Sequence, residues 1–367
     1  MKKTLLTLSI AAVFAVGASA AEFKAGTYTA KAPGIHGDVT VTVTFTKDKI
    51  ADVKVTHSET PGIGSKAAEL LPGRIVERQS PQVDGVTGAT ITSTAIRTAV
   101  ADTVKQAGAD PAALVPLAVK KQAKNETVDT DVVVVGGGGA GMSATIRTRM
   151  NGLNVVLVEK MPFIGGAASI SGGQVVAQGS KLQKAFGVTD DSVESMVKDF
   201  QANGHNLNDL SKLTLYAKNV GPTIDWLHDQ VGVKFIPNDL PFLAEYSHRR
   251  ALEFQGGAGT MAQHLREVIG SNGAKVLFNT RVEKLIVEDG KVTGVEAVDG
   301  NTGTKYTIRA KKTLLTTGGY GNNKNLLTDT YKNTLYYGPV SSTGDGLQMA
   351  QKLGVKTQLL EYGKRYP

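Results

Sequence analysis

The sequence predicts an α+β domain followed by an α/β domain, and three observations carry that reading. Val39, Val41, Val43 and Phe45 alternate with Thr40, Thr42 and Thr44, the period of a half-buried strand, whereas Ile91, Ala95, Ala99 and Val100 recur at helical spacing. The stretch 108–129 then turns rich in Ala, Pro and Lys, with Pro111 and Pro116 interrupting any helix, as a linker does. Beyond it, Val132-Val133-Val134-Val135 is a short continuous apolar run, the mark of a strand buried on both faces. A chain of 367 residues with 41% hydrophobic content can supply more than one core.

Residues 1–20 stand apart from both units. Lys2 and Lys3 precede an apolar run over 5–16 that closes on Ala18-Ser19-Ala20, the pattern of a secretory signal with a small-residue cleavage site. The run is about a dozen residues, short of the roughly 20 that span a bilayer. The expectation is therefore a cleaved signal and a periplasmic or secreted mature chain, divided into a first domain over 22–107, a linker over 108–129 and a second domain over 130–367.

The chain contains no cysteine, which excludes disulfides, thiolate metal sites and cysteine-attached haem. Redox chemistry in such a chain must come from bound organic cofactors, and no metal site is expected. The formal charge is +8, with the basic residues scattered rather than grouped. Nucleic-acid binding has no motif behind it, and the sign mildly favours anionic substrates. His228, His248 and His264 are isolated and receive no catalytic role.

In the first domain the alternation resumes at Val53 and Val55 after the charged turn Lys47-Asp48-Lys49, giving a small sheet. The polar loop Glu59-Thr60-Pro61-Gly62-Ile63-Gly64-Ser65-Lys66 leads into a helical stretch. Then comes Asp84-Gly85-Val86-Thr87-Gly88-Ala89-Thr90, which puts Thr90 at or just before a helix N-terminus. Two readings of Thr90 stand on residue chemistry alone. Threonine is a good N-cap. Equally, a phosphate there would face unpaired backbone N–H groups and the positive end of the helix dipole, with Gly85 and Gly88 allowing close approach.

In the second domain the apolar strand runs straight into Gly136-Gly137-Gly138-Gly139-Ala140-Gly141, where Gly136, Gly138 and Gly141 satisfy G-x-G-x-x-G. A helical segment to about Asn151 and a second apolar strand, Val155-Val156-Leu157-Val158, follow, and Glu159 lies 18 residues after Gly141. That order of strand, glycine turn, helix, strand and acid is the Rossmann-like arrangement for a dinucleotide. The first glycine makes the turn, the second admits the pyrophosphate, the third lets helix and strand pack, and the acid reaches a ribose hydroxyl. NAD and FAD both use it. The small, polar run Gly165-Gly166-Ala167-Ala168-Ser169-Ile170-Ser171-Gly172-Gly173 could lie against a flat ring system. Runs over 275–278, 282–287 and 292–295 read as further strands before Leu314-Leu315.

Two resemblances decide what the motifs leave open. Asp84 to Thr90 resembles the flavinylation motif of the FMN-binding domains of sodium-pumping and Rnf-type electron-transfer subunits, and the loop from Glu59 to Gly64 resembles the one that accompanies it. That likeness implies FMN joined to Thr90 by a phosphodiester, attached by a flavin transferase. From Asp131 onward the chain resembles the fumarate reductase and succinate dehydrogenase flavoproteins in their exported branch, through Glu159-Lys160, Gly165-Gly166, Gly172-Gly173, Gly256-Gly257-Ala258-Gly259, Thr316-Thr317-Gly318-Gly319 and Thr343-Gly344-Asp345-Gly346.

The second likeness implies non-covalent FAD held by Gly136, Gly138, Gly139, Ala140, Gly141, Glu159, Lys160, Gly165, Gly166, Ala167, Ala168, Ser169, Gly172, Gly173, Val282, Gly318 and Asp345, with Gly173 also near the substrate. Ala167 departs from the family, where asparagine is common. The implied reaction is reduction of the C=C bond of an unsaturated carboxylate in anaerobic respiration. Hydride leaves FAD for the β-carbon and an arginine acid protonates the α-carbon. That arginine is expected beyond residue 367, as is most of the substrate-capping domain. Where fumarate reductases place His-Pro, this chain has Tyr366-Pro367. An uncharged phenol suits an aromatic group better than a second carboxylate, which favours the urocanate-reducing branch over reductases of fumarate, acrylate or methacrylate. An electron-transfer protein without substrate chemistry of its own is the remaining alternative. The implied partners are the substrate, a flavin transferase and an external donor such as a membrane-linked cytochrome or quinol dehydrogenase.

Overall fold

A computed structural model describes residues 22–61, 63–86, 89–117, 123–237 and 240–363. The expected signal over 1–20 and Tyr366 lie outside the described residues. In the first unit, β1 (Gly26–Pro33), β2 (Asp38–Phe45) and β3 (Ile50–Thr56) form an antiparallel sheet in that spatial order, covered by α1 (Gly64–Arg78) and α2 (Thr90–Gln106). The alternation determines which face is covered. Val39, Val41 and Val43 are fully buried, while Thr27 with Thr44 and Thr29 with Thr42 meet hydroxyl to hydroxyl on the other face at 3.1 and 3.0 Å. Each such apolar side chain contributes roughly 1.5–3 kcal/mol by leaving water, so a one-residue slip, which would bury threonines instead, is strongly disfavoured.

The segment expected to be a linker is partly folded at both ends. Leu114 enters the first unit's core, Arg78 Nη1 donates to Leu117 O at 2.6 Å, and Gln82 Nε2 donates to Pro111 O and Ala112 O at 3.0 Å. At the other end, residues from Asn125 already belong to a strand.

The second unit comprises β4 (Asn125–Val135), α3 (Gly139–Met150), β5 (Val155–Val158), β6 (Gln174–Val176), α4 (Lys181–Ala185), α5 (Val193–Asn203), α6 (Leu210–Trp226), β7 (Ala251–Glu253), α7 (Gly257–Ser271), β8 (Lys275–Leu277), β9 (Thr280–Glu288), β10 (Lys291–Asp299), β11 (Lys305–Leu315), α8 (Asp329–Lys332) and α9 (Asp345–Gln351). Its six-stranded sheet runs β8-β5-β4-β11-β10-β9, parallel through β11 and antiparallel at the β10 and β9 edge. The sequence places the start of β4 at Asp131 because only Val132 to Val135 are buried. Backbone pairing with β11 begins at Asn125 opposite Lys305, where polar side chains hide the strand. This register brings the ends of β4, β5 and β11 to one edge of the sheet, where Gly136, Glu159 and Thr316 follow.

Beside the sheet, the two-stranded β6–β7 ribbon and α4 to α6 are tied by an enclosed arginine. Arg250 donates to both carboxylate oxygens of Asp191 at 2.7 Å and to Asp199 at 2.6 Å. Burial pushes the Asp191 carboxyl up, but the bonds from Arg250 and Gln183 more than offset it and hold the group below the usual carboxylate range. His248 belongs to this cluster, 3.1 Å from Ser195 Oγ, and His264 lies 2.8 Å from Val231 O.

Removing one partner of such a buried pair leaves an uncompensated charge, so Arg250→Ala is expected to cost about 3–5 kcal/mol in urea unfolding. A depressed carboxylate stabilises the fold above its unfolded value of about 3.9 and loses that contribution as pH falls through the folded value. Acid titration of the wild type followed by circular dichroism should therefore show this loss below about pH 4, and Arg250→Ala should flatten it.

Candidate functional site

The glycine turn is shaped by distances that only glycine tolerates. Gly136 has φ +99°, and its N–H donates to Val158 O at 2.8 Å. A β-carbon on Gly141 would stand 1.9 Å from Gly136 O, so α3 packs directly on the turn. A β-carbon on Gly138 would meet no atom within 4 Å, which is the open space a pyrophosphate needs. Gly138 is also the N-cap of α3 and makes no side-chain cap bond, so the helix start faces that space with unpaired N–H groups. Thr316 closes the turn from 180 residues away: its Oγ1 lies 2.7 Å from Gly136 O and 2.9 Å from Val135 O.

Gly136, Gly138 and Thr316 are among the residues that wall a cavity of about 360 Å³. Of the residues expected to hold FAD, Gly136, Gly138, Gly139, Ala140, Glu159, Lys160, Gly166, Ala167, Ala168, Val282, Gly318 and Asp345 line it. Gly141, Gly165, Ser169, Gly172 and Gly173 do not. Gly141 and Gly165 stand behind the wall, Gly165 N donating to Gly137 O at 2.7 Å. Gly173, just before β6, packs against the start of α7: its O accepts from Phe254 N at 2.9 Å and a β-carbon would stand 3.1 Å from Ala258 N. His228, His248 and His264 are all absent from the lining.

Glu159 is buried, with Oε2 accepting from Gly137 N at 2.7 Å and Oε1 from Met161 N at 2.8 Å. Burial pushes its carboxyl above the ordinary value despite those bonds. Besides facing the cavity, this acid therefore braces the glycine turn, a second task the sequence did not show. Asp345 opens α9 and accepts from Lys160 Nζ at 2.8 Å and Arg281 Nη2 at 2.6 Å. Burial alone would raise the Asp345 carboxyl, but Lys160 and Thr343 hold it low. The three charges clamp the ends of β5, β9 and α9 across the cavity mouth. Arg281 was missed, and Thr316 was noted only as part of a family motif, because the role of each is set by a partner far along the chain.

The residues fit a bound dinucleotide. Gly138 leaves a cradle that a β-carbon would fill, at the open start of α3.

In the first unit Ala89, not Thr90, is the N-cap of α2, and it makes no side-chain cap bond; Thr90 is the first helical residue, with an exposed side chain. The structure therefore does not use Thr90 as a cap. Beside it, the buried Glu59 accepts from Ile35 N at 2.8 Å, from His36 N at 3.1 Å and from Thr92 Oγ1. Burial pushes Glu59 up, and these bonds bring it below the ordinary value. A β-carbon on Gly64 would stand 2.7 Å from Glu59 Cβ and 2.8 Å from Thr92 Oγ1, so the loop from Glu59 to Gly64 is pressed against the start of α2. Gly62, Thr87 and Gly88 lie outside the described residues.

Residues 131–362 match the FAD binding domain family. The chain belongs to that family. Residues 34–105 match the FMN-binding domain, so both flavin modules anticipated from the motifs are present in the expected order. Urocanate reductase from Eggerthella lenta is 33% identical over 360 residues, covering 95% of this chain and 59% of that protein. NADH:acrylate oxidoreductase from Vibrio harveyi is 28% identical, covering 91% of this chain and 40% of its own length. Among solved structures, the open conformation of a flavocytochrome c3 fumarate reductase aligns with a TM-score of 0.58 and 34% identity, over 62% of this chain and 40% of that one. The chain thus spans about three-fifths or less of the relatives it matches.

Gly138→Ala is expected to fold within about 1 kcal/mol of wild type yet lose FAD, since the added methyl meets only the ligand's space. Gly141→Ala should instead destabilise the fold by about 1–3 kcal/mol through overpacking. Thermal melting together with FAD absorbance after gel filtration separates the two. Asp345→Asn should weaken FAD retention by about tenfold, the scale of one lost charge-assisted bond, as read by flavin titration.

Proposed function

We propose that this chain is the flavin-bearing part of an exported reductase that saturates the C=C bond of a small unsaturated carboxylate, urocanate first, with FMN carried covalently on Thr90. The observation that carries the reading is the pairing of both flavin modules on one chain along 95% of its length with a urocanate reductase. Geometry supports the attachment: Thr90 is exposed at the first position of α2, where an FMN phosphate meets the open helix start.

FAD, when bound, supplies the hydride. The protein's own part is to seat the pyrophosphate on Gly138 and the start of α3, to present Glu159 to the ribose, and to close the mouth with Lys160, Asp345 and Arg281. Bound FMN and FAD would relay electrons to the alkene from an external donor, such as a membrane-linked cytochrome or quinol dehydrogenase. One alkene carbon takes the hydride and the other a proton. Tyr366 favours urocanate, because a phenol accommodates an imidazole without charge repulsion. The signal-like residues 1–20 support export, and a flavin transferase completes maturation. Acrylate is the second reading, since the acrylate oxidoreductase also matches across both units.

The full-length enzyme, produced together with a flavin transferase, should show an FMN adduct on the Thr90 peptide that Thr90→Val abolishes. With reduced viologen as donor it should turn over urocanate faster than fumarate or acrylate. A bare Thr90 peptide removes the covalent assignment, and a preference for fumarate removes the substrate assignment.

A further inference from the structure

We propose that the first unit docks on the second through a defined seam, and that electrons cross from one flavin to the other at this seam; the transfer role rests on the function proposed above. Two contacts define it. Phe163, from the segment leading out of β5, is packed into the first unit's apolar core rather than its own. A β-carbon on Gly259, in the first turn of α7, would stand 3.5 Å from Pro61 O, 3.8 Å from Thr60 Cγ2 and 3.9 Å from Ser169 O. Behind this turn, and within the second unit, Arg266 of α7 donates from Nη1 to Ile164 O at 2.8 Å, tying α7 to the segment that carries Phe163.

The location is what gives the seam a function. On one side it uses Thr60 and Pro61, from the loop pressed against the start of α2 that bears Thr90. On the other it uses Ser169, the neighbour of Ala168 in the cavity wall. The loop beside one flavin site thus reaches the first turn of α7, and the loop that encloses the other site lies against that same turn. A β-carbon at Gly259 would meet these atoms at ordinary van der Waals distance, so a small side chain fits in the seam whereas a long one would wedge it. In the transfer, two electrons leave the reduced flavin of the first unit and enter the oxidised flavin of the second, with protons exchanged with water; the external donor restores the first.

Residues 1–367 contain no cysteine, so Thr60→Cys with Gly259→Cys places one designed pair among them, identified after oxidation by its cross-linked peptide mass. In full-length protein carrying both flavins, mild oxidation should form that cross-link, and the locked protein should pass electrons from viologen-reduced FMN to FAD at the unlocked rate or faster. Gly259→Lys, a wedge on the helix surface, should keep its FAD content while FMN-to-FAD transfer falls by about tenfold or more, because transfer depends on close positioning. The slowed rate should approach that of Thr90→Val. Failure to cross-link, a locked protein as slow as Thr90→Val, or a Gly259→Lys protein with wild-type transfer each overturns the proposal. Peptide mass keeps the two ideas apart: a missing adduct on Thr90 sinks the parent reading and the transfer role, whereas an intact adduct with no cross-link sinks the seam alone.

Discussion

The passage from Val135 into Gly136 is the constraint on which the site depends. The turn must leave the sheet edge sharply, let α3 pack on the Gly136 carbonyl and still keep an open face for an anion. The φ of +99° at Gly136, the missing β-carbon at Gly141 and the empty space over Gly138 meet these three demands separately. Nothing within the turn holds it in place, so the bracing comes from outside. Thr316 hydrogen-bonds the turn's carbonyls from β11, and Glu159 accepts the Gly137 N–H from β5. The turn is therefore as rigid as the parallel pairing of β5, β4 and β11, which places the anion-binding N–H groups on the most deeply buried strands of the sheet.

The electrostatics follow from this geometry. Buried Glu159 is costly to ionise, and two backbone N–H groups reduce that cost without introducing a counter-charge. At the mouth, Asp345 takes up Lys160 and Arg281 together, so the two cations are held in place rather than left to collapse on the phosphates. The cavity accordingly offers an anionic dinucleotide oriented dipoles at its floor and a balanced clamp at its rim.

The first unit repeats the scheme on a smaller scale. A buried carboxylate, Glu59, gathers N–H and O–H donors from the loop at Ile35 and His36 and from Thr92, and thereby fixes the polar loop against the start of α2. In both units an acid inside the protein positions backbone while a helix start remains open. Phe163, seated in the first unit's core, shows that the two units are joined by packing as well as by chain.

Local periodicity determined much of this. The alternation in β2, the apolar runs of β4 and β5, the G-x-G-x-x-G turn and Thr90 at a helix start were legible because each depends on neighbours a few residues away. The first six residues of β4 were not, since their pairing with β11 is a backbone property that polar side chains conceal. Nor were the clamp through Arg281, the brace from Thr316, the bracing role of Glu159, or the packing of Gly173 against the start of α7. Those depend on residues from tens to nearly two hundred positions apart, and only the register of the parallel sheet and the docking of helices on it bring them within hydrogen-bond range.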